Sequence, residues 1–220
     1  MRRIFLFILF ISISLAAMQI KETPIAFGKT RVELSKEYIK EHYNLEVKDI
    51  KITPKIVVIH HTAIDDFADS LSRFTSETLP TDRPDITSGG ALNVSAHFMV
   101  ERDGTIHQLM PLDFMARHVI GLNYNSIGIE NVGGANSADN LTKEQLEANI
   151  FLVKELKKHF ETIEYVIGHY EYRCFEATPL WLEVDNGYRT FKDDPSVRFM
   201  DELRANIDGF KGAPCKGMDD

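Results

Sequence analysis

Apolar residues in this chain fall into short runs separated by polar, Gly- and Pro-containing stretches, and the period within each run predicts its element. Ile56-Val57-Val58-Ile59 is β-branched throughout and bounded by Pro54 and by His60-His61-Thr62, which predicts a strand buried on both faces. Ser126-Ile127-Gly128-Ile129-Glu130-Asn131-Val132 reads as a further core strand, and Tyr165-Val166-Ile167-Gly168 as another that delivers His169 at its end. Residues 96–100 and 105–109 flank Arg102-Asp103-Gly104, and Asp-Gly between two β-rich runs predicts a hairpin. Residues 141–160 carry the clearest helical period, with Leu146, Ile150, Val153, Leu156 and Phe160 on one face and Thr142-Lys143-Glu144-Gln145 as a capping box. Shorter helices are expected at 67–74, at 196–207 and at 34–43, the last with Ser35 as its cap. Between 66 and 88 the chain is polar and holds Pro80 and Pro84, which predicts a long functional loop. Strands alternating with helices around one mixed central sheet make an α/β domain the expected class.

The first residues break this pattern. Met1-Arg2-Arg3 followed by an apolar run to Leu15, with Ala16-Ala17 behind it, has the layout of a signal peptide over residues 1–17. The run is too short for a spanning helix, which needs about 20 apolar residues, so an exported chain with no stable membrane insertion is expected, with an uncleaved N-terminal anchor as the rival reading. The rest divides into an N-terminal extension (18–54), a main domain (55–208) and a polar tail (209–220). Losing residues 1–17 removes Arg2 and Arg3 and no acid, so the formal net charge moves from −8 to −10. That argues against nucleic acid as a partner, because phosphate binding calls for a concentrated basic surface. Two cysteines, Cys174 and Cys215, exclude a four-cysteine metal site and leave open whether they pair.

Chemistry enters at the strand ends. Three buried strands end in His60, Glu130 and His169, and sites in α/β sheets are commonly built at carboxyl ends of strands. Two histidines and an acid would suit a catalytic zinc, which takes three protein ligands and keeps one position open. The spacing is long-range, with no His-Glu-x-x-His to fix two ligands on one helix turn, so spacing alone does not establish a metal.

Five ordered motifs carry a resemblance. Ile59-His60-His61-Thr62-Ala63 comes first, then Ser95-Ala96-His97-Phe98 with Asp103-Gly104-Thr105-Ile106. Ala116-Arg117-His118-Val119 with the segment from Asn123 to Glu130 follows, then Val166-Ile167-Gly168-His169, and finally Lys192-Asp193-Asp194-Pro195. Their order over residues 55–203 resembles the type 2 zinc amidases, N-acetylmuramoyl-L-alanine amidases related to the peptidoglycan recognition proteins. The resemblance implies a mixed central sheet flanked by helices with zinc in a surface groove. It implies His60, His169 and Asp194 as zinc ligands, Glu130 as the catalytic acid/base and Lys192 as the residue facing the transition state. The implied partner is peptidoglycan or a muropeptide, met outside the cytoplasmic membrane, in the periplasm or beyond it, by a monomer.

Elementary chemistry is consistent with those roles. Amide hydrolysis needs a nucleophile at neutral pH, and zinc lowers the pKa of a water to about 7. A carboxylate can then carry the proton to the leaving amine, and a fixed cation can face the developing oxyanion. His61 and Asp193 are the rivals of His60 and Asp194, and since successive strand residues face opposite sides, His60 and His61 do not both bind one ion. His97 is expected as a hydrogen-bonded core or supporting residue, while His118 with Asn125 is expected at the substrate. His42, His107 and His159 look incidental. Ser196 stands where the family pattern has Gly, which bears on the local turn. Residues 170–190 form an insertion whose Trp181, Tyr170 and Tyr172 are expected to pack beneath it, with lining of the groove as the alternative. The rival function is a non-catalytic wall-binding module, and a third reading is a zinc hydrolase for a different amide.

Overall fold

The computed structural model describes residues 18–215; the expected signal peptide and the last five residues of the tail lie outside them. Six strands form one sheet: β1 (Ile20–Glu22), β2 (Ile56–His61), β3 (Phe98–Val100), β4 (Ile106–Gln108), β5 (Ser126–Asn131) and β6 (Tyr165–Gly168), in the order β1-β4-β3-β5-β2-β6. Every neighbouring pair is parallel except the β3–β4 hairpin, so the sheet is mixed. Ile56 to Ile59 of β2 are wholly buried, as an all-apolar strand between two parallel neighbours requires.

Register decides what this sheet presents. His60 of β2 is the partner of Glu130 in β5, and Ile59 is the partner of Gly168 in β6. The residue after Gly168 is therefore level with His60, and three chemistry-bearing side chains leave one carboxyl edge together. Four α-helices accompany the sheet: α1 (Lys29–Tyr43), α2 (Phe67–Thr75), α3 (Lys143–His159) and α4 (Val197–Arg204). Helices α3 and α4 contact each other, with α3 reaching β3 and α4 reaching β6. Thr142 caps α3 through the expected reciprocal box with Gln145. Helix α2 covers a smaller apolar cluster of Ile25, Phe74, Ala96, Met99, Leu109 and Val132. No helix among the described residues is long and apolar enough to cross a membrane.

Three elements differ from the sequence reading. Helix α1 begins at Lys29 rather than at residue 34, and Ser35 is buried within it, donating to the Arg31 carbonyl at 2.8 Å instead of capping. Its first turns are held by the buried Arg31 guanidinium, which donates to the Ala26 and Phe74 carbonyls at 2.8 and 2.9 Å, an anchor that no apolar period records. Strand β1 was not expected: its side chains are exposed, and only backbone pairing to β4 defines it. The tail is not merely polar overhang, because Lys211 bridges to Tyr165 of β6 and Cys215 is disulfide-bonded to Cys174.

The extension is bound into the same core through Tyr38, Ile39 and Tyr43. His42, expected to be incidental, bonds the buried carboxylate of Glu183 at 3.0 Å, tying α1 to the insertion. Within that insertion Tyr172 and Trp181 stack with ring centroids 6.0 Å apart, and Trp181 closes on Gly121 (φ 77°), where no side chain would fit.

Candidate metal centre

A cleft of about 500 Å³ opens at the carboxyl edge of β2, β5 and β6. At its floor His60, His169 and Asp194 converge, all three buried. His60 Nδ1 lies 2.9 Å from His169 Nδ1, His169 Nδ1 lies 3.1 Å from Asp194 Oδ2, and His60 Nδ1 lies 3.3 Å from that same oxygen. A tetrahedral shell with metal–ligand distances of about 2.0–2.1 Å sets its donors about 3.3 Å apart. Two imidazole nitrogens and one carboxylate oxygen at these separations therefore suit a metal ion of the zinc type.

Backbone contacts assemble the triad. His60 and His169 come from β2 and from the residue after β6. Asp194 is brought in by its own carbonyl, which accepts from Tyr170 N at 3.0 Å, so the two ligand-bearing segments are stitched one residue beyond His169. The Asp194–Pro195 peptide is cis, and Ser196 then caps α4, accepting from Phe199 N at 3.2 Å and donating to Asp139 at 2.6 Å. Serine at this position thus starts a helix where the family pattern places Gly.

Electrostatics separate the members. Burial, reinforced by the neighbouring His169, lowers the His60 pKa to about 4. Burial also lowers His169, against the pull of Asp194. Burial alone would raise Asp194, but His169 and His60 outweigh it and hold the carboxyl well below its usual range. These directions favour neutral imidazoles beside a carboxylate, the forms that a metal ion binds. Glu130 is shifted the other way: burial and the Asp194 charge raise its pKa to about 8, with Lys192 and Arg83 opposing. Its Oε2 is buried with no hydrogen-bond partner. A buried carboxyl that the fold leaves unsatisfied, beside a donor cluster in a cleft, is a functional-site signature.

The other expected residues divide. Lys192 lines the cleft with Glu130. His61 and Asp193 line it too, but neither belongs to the donor triad; the Asp193 carboxylate accepts from Ser137 Oγ at 2.6 Å. His97 is a buried core residue, accepting from Gly128 N at 3.0 Å and bonding the Phe114 carbonyl at 2.9 Å. His118 and Asn125, the residues expected at the substrate, are placed differently. Asn125 donates to the Leu180 carbonyl at 2.8 Å and does not line the cleft. His118 lines the cleft wall, but both its ring nitrogens are engaged within the protein, by His60 Nε2 at 2.9 Å and Ser126 Oγ at 3.1 Å. The residues missed in the sequence are Ser126 and Asn123. Asn123 accepts at Oδ1 from the amides of His118 and Val119 at 2.8 and 2.7 Å. Both stand inside the quoted motif, yet nothing in their types distinguished them from turn residues.

Fold and site together define a class: a mixed α/β sheet holding a His-His-Asp metal-type cluster and an unpaired buried glutamate at its carboxyl edge. The chain belongs to the Amidase_2 family, N-acetylmuramoyl-L-alanine amidase, whose family model matches residues 51–195. Among curated relatives, an endolysin of Klebsiella phage KP32 is 37% identical over 75 residues, 32% of this chain and 50% of that protein. An endolysin of Enterobacteria phage K11 is 36% identical over 72 residues, 31% and 48% of the two chains. The chain thus spans about half the length of the curated relatives it matches. Among solved structures, the N-acetylmuramoyl-L-alanine amidase LysC from Clostridium intestinale URNW superposes with a TM-score of 0.53 at 19% identity, covering 85% of this chain and 95% of that one. The bumblebee peptidoglycan recognition protein PGRP-SA gives 0.52 at 17% identity, covering 90% and 99%. At these identities the structures establish the shared fold.

Proposed function

We propose that this chain is an exported, zinc-dependent N-acetylmuramoyl-L-alanine amidase that acts as a monomer on peptidoglycan or muropeptides in the periplasm or outside the cell. The observation that carries the reading is the convergence of His60, His169 and Asp194 beside a glutamate whose buried oxygen has no partner, in a chain of this family.

His60, His169 and Asp194 would hold the ion through Nδ1, Nδ1 and Oδ2. Zinc supplies Lewis acidity when bound, polarising the scissile carbonyl and making water acidic near neutral pH. Glu130, buried beside the donors with an unpartnered Oε2, accepts a proton from the attacking water and hands it to the leaving nitrogen of L-alanine. Its free Oε2 is the acceptor no other group competes for. Lys192 supplies fixed positive charge to the developing oxyanion. The cleft walls hold the scissile amide above these groups and restrict water around it.

Mass spectrometry of muropeptides and sacculi incubated with the protein tests this, with and without a chelator and with Glu130→Ala. Release of stem peptides beginning with L-Ala, abolished by chelator and by the variant, is the expected result. Intact substrate alongside measurable affinity for wall fragments would replace the enzyme with a wall-binding module. Cleavage elsewhere in the stem would replace the bond.

A further inference from the structure

Beside the candidate metal centre runs a one-way chain of hydrogen bonds. Ser126 Oγ lies 2.9 Å from the Leu122 carbonyl, an atom that can only accept, so the single hydroxyl proton points there. Ser126 Oγ also lies 3.1 Å from His118 Nε2, and with its own proton committed it can only accept on that side. The proton between them belongs to His118 Nε2. No carboxylate is within hydrogen-bond reach of the buried His118 ring, whose described partners are Ser126 and His60 alone. A neutral ring with hydrogen on Nε2 offers a lone pair at Nδ1, and His60 Nε2 stands 2.9 Å from it. His60 must then carry its own hydrogen on Nε2, which leaves the lone pair on Nδ1, the nitrogen that faces His169 and Asp194.

We infer that His118, oriented by Ser126, is a positioning residue that fixes the tautomer of His60 and so aims a lone pair at the metal position. Metal-binding histidines usually donate their second ring N–H to a carboxylate, a carbonyl or water; here the acceptor is a second imidazole, whose own direction is set one bond further away. The surroundings are built for that ring. Gly128 lies beneath it, and a Cβ there would come within 2.8 Å of His118 Cγ. Asn123 holds the His118 and Val119 amides through one oxygen, fixing the backbone from which the ring projects.

The inference rests on the metal reading above, and its test separates the two. Long-range ¹H–¹⁵N spectra of the metal-free, ¹⁵N-labelled protein should show hydrogen on Nε2 of both His60 and His118; hydrogen on His118 Nδ1 would overturn it. Zinc affinity is then measured by competition with a chromophoric chelator. His118→Leu, which strands the His60 N–H, should weaken binding ~10- to 100-fold. His118→Gln, which can accept from His60 and donate to Ser126, should stay within about threefold of the parent, since it keeps the bond direction. Equal loss in both variants, or no loss in His118→Leu, would reduce His118 to a packing residue. Ser126→Ala frees the tautomer without touching either ring and should weaken zinc binding several-fold, so it decides the matter if His118→Leu fails to fold. A parent protein that binds no zinc would sink the zinc reading, while the spectra would still judge the tautomers.

Discussion

Glu130 pairs a buried carboxyl with no hydrogen-bond partner at Oε2, and its behaviour with pH follows from that mismatch. Its pKa is raised from 4.5 to about 8, so between those values the folded, metal-free chain binds more protons than the unfolded chain. Its contribution is unpenalised below about pH 4.5 and turns increasingly destabilising as pH rises through the window. Glu130→Gln removes the ionisation. Measured by urea denaturation, the stability of the variant relative to the parent should improve between pH 5 and pH 8 by on the order of 2–4 kcal/mol. A flat difference would mean that Glu130 ionises normally. The same substitution should lower kcat ~10²- to 10⁴-fold if the carboxyl carries the proton. Lys192→Met should cost ~10²- to 10³-fold in kcat with KM nearly unchanged, because a charge that faces the oxyanion acts on the transition state and little on the ground state. A rise in KM alone would recast Lys192 as a substrate anchor.

Helix α3 connects to the site through its first turn. Gln145 completes the capping box and also donates its amide to the carbonyls of Val132 and Val100, at 2.8 and 3.2 Å, holding the ends of two strands. Thr142→Ala should cost about 1 kcal/mol in chemical denaturation, the worth of a cap. Gln145→Ala should cost more, about 2–3 kcal/mol, since it also strands the Val132 carbonyl, while that of Val100 keeps the Val132 amide. Elements of this kind were legible in the sequence because their signals are local: a β-branched run for β2, Asp-Gly for the hairpin, Thr-x-x-Gln for α3. The donor triad was legible only through ordered motifs, since His60 and His169 stand 109 positions apart in the chain and only strand register sets them level. What escaped has physical causes. Strand β1 is made of exposed side chains and held by backbone pairing, and the start of α1 is fixed by a buried arginine. The assignments of His118 and Asn125 depended on which way a ring and an amide point, and residue types carry no such direction. Arginine and asparagine in a polar stretch look the same whether they anchor or merely solvate.

At the scale of the whole molecule, the Cys174–Cys215 bridge closes the end of the described chain onto the segment that follows His169, the two cysteines standing 41 positions apart in sequence. Closing a loop of that length is worth about 4 kcal/mol in the chain-entropy model. Cys174→Ser with Cys215→Ser should therefore lower unfolding free energy by about 2–4 kcal/mol while leaving activity at 25 °C close to the parent, because neither cysteine lines the cleft. Loss of activity in a still-folded double variant would show that the bridge shapes the site. Distance along the chain has another consequence. The third candidate donor comes from beyond the last strand: β6 ends at Gly168, and Asp194 takes its place through the bond from Tyr170. A chain interrupted between residues 169 and 194 would have all six strands and two of the three donors. On this account a sheet that is complete at Gly168 still lacks a full donor set until Asp194 joins it.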